Sequence, residues 1–156
     1  MRTEFSFIDP GPARDGELSV VLTDAVIDGA VPTYRFAIRV DGIAGAVGRV
    51  TLRPQTTPHI ESVRGHIGYT VDPDHRGHGY AARAVRLVLP LARRHGINPV
   101  WITCEPSNPA SRRTCETLGA VLTDIVPIPP DDPAYAQGQR QKCRYRLSAA
   151  AVGHEM

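Results

Sequence analysis

Residues 33–40 alternate strictly: Tyr34, Phe36, Ile38 and Val40 are apolar, and Thr33, Arg35, Ala37 and Arg39 stand between them. Period two predicts a half-buried strand. Residues 18–24 alternate less sharply and predict a strand before it, with Asp28-Gly29 marking the turn between them. Asp41-Gly42 signals a hairpin, and residues 44–53 form the returning strand, where Gly45 and Gly48 point to a bulge. A polar loop over 54–62 leads to a strand over 63–71. The period then changes. From Gly79 to about His95, Ala81, Ala84, Val85, Val88 and Leu91 or Ala92 recur at helical spacing, with Arg83, Arg86, Arg93 and Arg94 mainly opposite. Pro90 predicts a kink near Leu89 within one element, and Gly96 a stop. Residues 98–104 are apolar on both faces; reached through a helix, this strand is most simply parallel to 63–71. Asn108 and Pro109 cap and open a second helix that Gly119 closes. Strands over 121–127 and about 142–147 follow, joined by a Pro/Asp-rich loop. Residues 1–16 read as a loosely held arm and 149–156 as a frayed tail.

A chain of 156 residues fits one domain, 1–156, with a single core. A net charge of +2 is too small to argue for nucleic acid or a membrane surface as a partner. No apolar run approaches the ~20 residues of a membrane helix, and residues 1–16 lack a signal-peptide core. Cys104, Cys115 and Cys143 are an odd count without metal-ligand spacing, which suits reduced thiols in the cytoplasm and predicts no metal site.

Candidate chemistry lies at two places. Arg76-Gly77-His78-Gly79-Tyr80-Ala81 joins a strand to a helix N-terminus, where unpaired N–H groups and the helix dipole favour an anion. There is no Gly-x-Gly-x-x-Gly and no Gly-Lys-Ser/Thr. The pattern Arg-x-x-Gly-x-Ala at Arg76, Gly79 and Ala81 resembles the acetyl-CoA pyrophosphate loop of the GNAT superfamily of N-acetyltransferases. Downstream, Asn108, Ser111, Glu116 and Gly119 fall at the steps of that superfamily's second motif, whose asparagine lies by the pantetheine arm. The resemblance covers roughly residues 31–120. It implies an α+β fold with a mixed, mostly antiparallel sheet of about six to seven strands, flanking helices, and a splay between the fourth and fifth strands. It also implies acetyl-CoA as cofactor, held by the backbones of Tyr69, Thr70 and Val71, by Arg76, Gly77, His78, Gly79, Tyr80 and Ala81, and by Asn108 and Ser111.

Direct acetyl transfer to a primary amine needs a base for the ammonium and an acid for the leaving thiolate. His66 stands about where many relatives carry a glutamate and is the candidate base, with Glu61 as second choice. Many relatives have a tyrosine seven residues after the asparagine; here the position is Cys115, the candidate acid, with Ser111 or water as substitutes. Only residues 25–32 replace the helices that usually wall the acceptor site. That side is therefore open, or completed by residues 1–16 or by a second subunit in a homodimer. A small amine, an amino acid, an aminoglycoside-like compound and a protein N-terminus remain as acceptors. The rival readings are a non-catalytic acyl-CoA-binding module and a nucleotide or phosphate-sugar binder.

Overall fold

The computed structural model describes residues 5–149. Five antiparallel strands form the first sheet in chain order: β1 (Ala13–Asp15), β2 (Leu18–Asp28), β3 (Val31–Val40), β4 (Gly48–Leu52) and β5 (Ile67–Val71). A second sheet has the order β6-β8-β7, from β6 (Val100–Cys104), β7 (Val121–Pro127) and β8 (Gln141–Leu147). Helix α1 (Tyr80–Arg94) connects β5 to β6, α2 (Pro109–Leu118) connects β6 to β7, and a single turn, α3 (Pro133–Ala136), lies in the last loop.

The period-two residues build one wall of the core. Leu18, Tyr34, Ile38, Val50 and Leu52 are buried, and Ala84, Val85, Val88, Leu89 and Ala92 of α1 pack in the same cluster. Ile102, Cys115, Cys143 and Tyr145 carry that cluster into the second sheet. α1 runs unbroken through Pro90, because Leu89 and Leu91 on either side are both buried and hold the backbone in place.

Several boundaries differ from expectation. Residues 7–16 are fastened. The Ile8 N–H donates to Tyr34 Oη at 2.7 Å, β1 pairs with β2, and Arg83 on α1 grips Asp15 and Glu17. Arg83 therefore serves as a clamp and is not simply a solvated face, and its guanidinium holds the Glu17 carboxyl down at about 2. The strand expected over 44–53 shortens to Gly48–Leu52, and the first half of the one expected over 63–71 is a wide helical turn, Ile60–Arg64. Residues 150–156 of the expected tail lie outside the described residues. Among the described residues there are eight strands, close to the six or seven expected, and their ladders are antiparallel. The two strands expected to be parallel neighbours, β5 and β6, belong to different sheets. β2 and β3 meet directly at Gly29-Ala30, so no helix separates them. No helix among the described residues is long and apolar enough to cross a membrane.

Candidate active site

The site begins where β5 and β6 part. His66 donates its backbone N–H to the Trp101 carbonyl at 2.7 Å, and its Nδ1 accepts the Trp101 N–H at 2.9 Å. Both backbone groups of Trp101 are thus held by one residue, and no ladder forms beyond it. Gly65 makes the close approach feasible: a Cβ there would lie 3.0 Å from the Trp101 oxygen, and its φ is +76°. Past this pin the strands diverge. The Asp72 N–H donates to Val47 and the Arg53 N–H to the His66 carbonyl. By the alternation of an antiparallel ladder, Gly68 and Thr70 bond to β4 while Ile67, Tyr69 and Val71 turn their backbone groups into the gap. Of the three backbones expected at the site, Thr70's therefore faces the wrong way; its place on the lining is retained.

A chiefly polar cleft of about 360 Å³ occupies the gap. β5 lines it with Ile67 to Thr70, the end of β6 with Thr103, Cys104 and Glu105, α2 with Asn108 and Ser111, and the chain entering β8 with Gln139 and Lys142. At the far end of β5 stands the N-terminus of α1. Its cap is Gly79, at φ +73°, and among the described residues no side chain bonds to the first-turn N–H groups. Added Cβ atoms at Gly77 or Gly79 would meet nothing within 4 Å, so the space over this terminus is free of protein. Arg76 anchors the loop by donating from Nε to the Val71 carbonyl at 2.8 Å, and His78 stacks on Tyr80 at 5.2 Å. Tyr80 and Ala81 open the helix. Unpaired N–H groups, glycine on the approach side and a nearby guanidinium suit a pyrophosphate.

The second motif folds as its spacing predicts. Asn108 Oδ1 accepts the Ser111 N–H at 3.1 Å, and Gly119 closes α2 in the left-handed region. This places Ser111 Oγ 2.9 Å from Tyr69 Oη, with Cys115 Sγ 3.6 Å from the same oxygen. Burial pushes the Tyr69 phenol well above its ordinary range, so it stays protonated. Cys115 is wholly buried, and its interaction with Cys104 and its own burial raise its thiol, which suits an apolar filler better than an acid. Cys104 lines the cleft beside Tyr69 and Ser111.

His66 is not placed as a base. It is 1% exposed and absent from the cleft lining. Nδ1 accepts from Trp101, so the neutral ring carries its proton on Nε2 and donates to Thr56 Oγ1 at 3.0 Å. Burial, helped by Arg53, lowers its pKa to about 4. Glu61 lies in the wide turn and does not line the cleft. The sequence reading passed over Glu105 and Lys142 as functional groups. Glu105 stands three residues before Asn108 in the sequence, and nothing local marks Lys142, which reaches the cleft only because β8 lies beside β6. Among the described residues no cluster could hold a metal ion.

Comparison with known proteins agrees with this geometry. The sequence profile of the acetyltransferase (GNAT) domain matches residues 3–121. No curated protein matches the sequence. Similar solved structures include a GNAT-family acetyltransferase from Bacillus anthracis, at 18% identity and TM-score 0.57, covering 74% of this chain and 66% of that one. Ribosomal-protein-S5-alanine acetyltransferase from Vibrio fischeri aligns at 18% identity and TM-score 0.60, over 78% and 64% of the two chains. RimJ from Mycobacterium smegmatis, solved with CoA-disulfide, aligns at 22% and 0.57, over 76% and 54%. This chain thus spans less than two thirds of the length of each. With the profile covering most of the sequence and the forked strands and open helix terminus standing where its motifs fall, the chain belongs to the GNAT family of acetyltransferases.

Proposed function

We propose that this protein is an acetyl-CoA-dependent N-acetyltransferase that passes the acetyl group directly to a primary amine. The observation that carries the reading is the fork: β5 and β6 part at His66 and leave a polar cleft that leads to the uncapped N-terminus of α1. A solved relative from Salmonella typhimurium, yncA, was determined with acetyl-CoA as its cofactor. Bound here, acetyl-CoA supplies an activated thioester.

The residues divide the work as follows. The N–H groups of Tyr80 and Ala81, with Gly77, His78 and Gly79 leaving the approach clear and Arg76 beside them, receive the pyrophosphate. The backbones of Tyr69 and Val71 extend into the gap like an open sheet edge and hold the pantetheine amides, with Asn108 on the facing helix. A free N–H in the same row polarises the thioester carbonyl. Glu105, the carboxylate lining the cleft, draws in the ammonium and takes its proton directly or through water. The Ser111 hydroxyl, oriented by Tyr69, hydrogen-bonds the departing thiolate, which leaves as the thiol after taking the amine's second proton through water. His66 holds the fork open, and Cys115 fills the space that a tyrosine takes in many relatives.

The test is thiol release from acetyl-CoA across amines of increasing size, beside equilibrium binding of CoA and ATP. The expected outcome is CoA binding without ATP binding, and thiol release that requires an amine. CoA binding without release for any amine would make the protein a non-catalytic acyl-CoA-binding module instead.

A further inference from the structure

We propose that the acceptor is a small free amino acid, recognised in its zwitterionic form by Glu105 and Lys142, which stand side by side in the cleft where β6 and β8 run next to each other. The inference rests on the acetyltransferase reading above and names its substrate class.

Glu105 and Lys142 both line the 360 Å³ cleft, and neither takes part in an ion pair among the described residues. They feel each other's charge, yet their ends stay farther apart than a salt bridge allows. Gln139, on the same wall as Lys142, has a buried Oε1 with no hydrogen-bond partner among the described residues. A buried carbonyl oxygen left unpaired is costly, so this atom calls for a donor. An ammonium group satisfies Gln139 Oε1 and Glu105 together, and a carboxylate one or two bonds away satisfies Lys142. Burial, and less strongly the nearby Arg53, lower the Lys142 pKa from its ordinary value, so a carboxylate seated beside Lys142 favours its charged form. Glu105, Cys104 and Asp132 act on Lys142 in the opposite sense.

The competing acceptors fit this charge pattern less well. A peptide N-terminus brings an ammonium, but an amide stands where Lys142 calls for an anion. A polycationic aminoglycoside meets one lining carboxylate and is repelled by Lys142. Size agrees as well: about 360 Å³ has to hold the thioester end of the donor and the acceptor together, which leaves room for a small molecule.

The test uses the full chain and matched amines: glycine, alanine, leucine and glutamate, each with its carboxamide, a short alanine peptide amide and an aminoglycoside. Thiol release should show kcat/KM at least tenfold higher for the best amino acid than for its amide or the peptide. Independently of turnover, titrating that amino acid into CoA-loaded protein should shift the backbone NMR signals of Gln139 and Lys142, and its amide should not. Lys142→Met should bring the amino acid-to-amide ratio toward one, and Lys142→Arg should keep it. Equal or better use of amides, peptide or aminoglycoside overturns the zwitterion inference and leaves the acetyltransferase intact. Silence with every amine overturns both. Should Lys142→Met fail to fold, the wild-type ratio and NMR shifts decide alone.

Discussion

His66 shows how one side chain can imitate a strand. Its imidazole Nδ1 takes the N–H that a neighbouring strand's carbonyl would otherwise accept, and its own N–H completes the pair. His66→Leu would leave the buried Trp101 N–H unpaired, at about 1–3 kcal/mol of stability. Asn offers an acceptor at a similar reach, so His66→Asn should retain much of the wild-type affinity for acetyl-CoA, and His66→Leu should lose about tenfold. A base at this position would make the rate rise through a histidine-like pKa; with His66 as a pin, the rate–pH profile shows no step that depends on it. Stability gives the complementary signal. The folded pKa is about 4, below the ordinary value of 6.5, so the unfolded chain takes the proton first. The stabilising contribution of the neutral ring is full above about 6.5 and is lost as pH falls through about 4. Denaturant midpoints at pH 7 and 4.5 should therefore fall further in the wild type than in His66→Asn.

At the scale of elements, the two helices show opposite uses of glycine. Gly79 begins α1 and Gly119 ends α2, both in the left-handed region and both with open space where a Cβ would stand. Gly119 satisfies α2's last carbonyls through its own N–H and that of Ala120. Gly79 precedes N–H groups that no side chain caps, so its missing Cβ leaves room for a ligand. Gly79→Val should weaken acetyl-CoA binding about tenfold or more, the scale of a lost charge-assisted contact, with the helical circular dichroism retained. Gly119→Val carries comparable backbone strain and should lower the melting temperature without changing that affinity. Equal effects on affinity would mean that strain, and not room for phosphate, explains the Gly79 result.

For the molecule as a whole, one core spans two sheets while their facing edges stay unpaired. That separation predicts an alternating pattern in amide exchange. Along β5 the Gly68 and Thr70 N–H groups are bonded to β4, and those of Tyr69 and Val71 face the gap. Without ligand, Tyr69 and Val71 should exchange faster than their neighbours. Adding acetyl-CoA should slow those two and leave the β2–β3 hairpin unchanged, as followed by NMR. Uniform protection along β5 in the free protein would contradict the fork. The hairpin has a consequence of its own. β2 and β3 join without helices, so Val21 and Ile27 are 45% and 53% exposed and the acceptor side has no helical wall.

Short-range chemistry is what the sequence by itself determined. Period two over 33–40, the helical stripe from Gly79, the Asn108-Pro109 start and the Gly119 stop each depend on neighbours a few residues apart, and each appears in place. Arg76, Gly79 and Ala81, with Asn108 and Ser111, fall at the two helix starts read from the sequence for the same reason: a helix terminus is set by its own backbone. The tertiary structure decided everything that needs a distant partner. Val63 belongs to a wide turn rather than a strand because Gly65 brings the chain against Trp101. His66 passed from candidate base to pin because the Trp101 N–H, thirty-five residues away, meets its ring. The expected arm is held by Tyr34 and Arg83. Lys142 and Gln139 reach the cleft because β8 lies between β6 and β7, a strand order that no local period encodes. Helix caps and strand faces are fixed by bonds along the chain, whereas a charge's function is fixed by the groups that folding places opposite it.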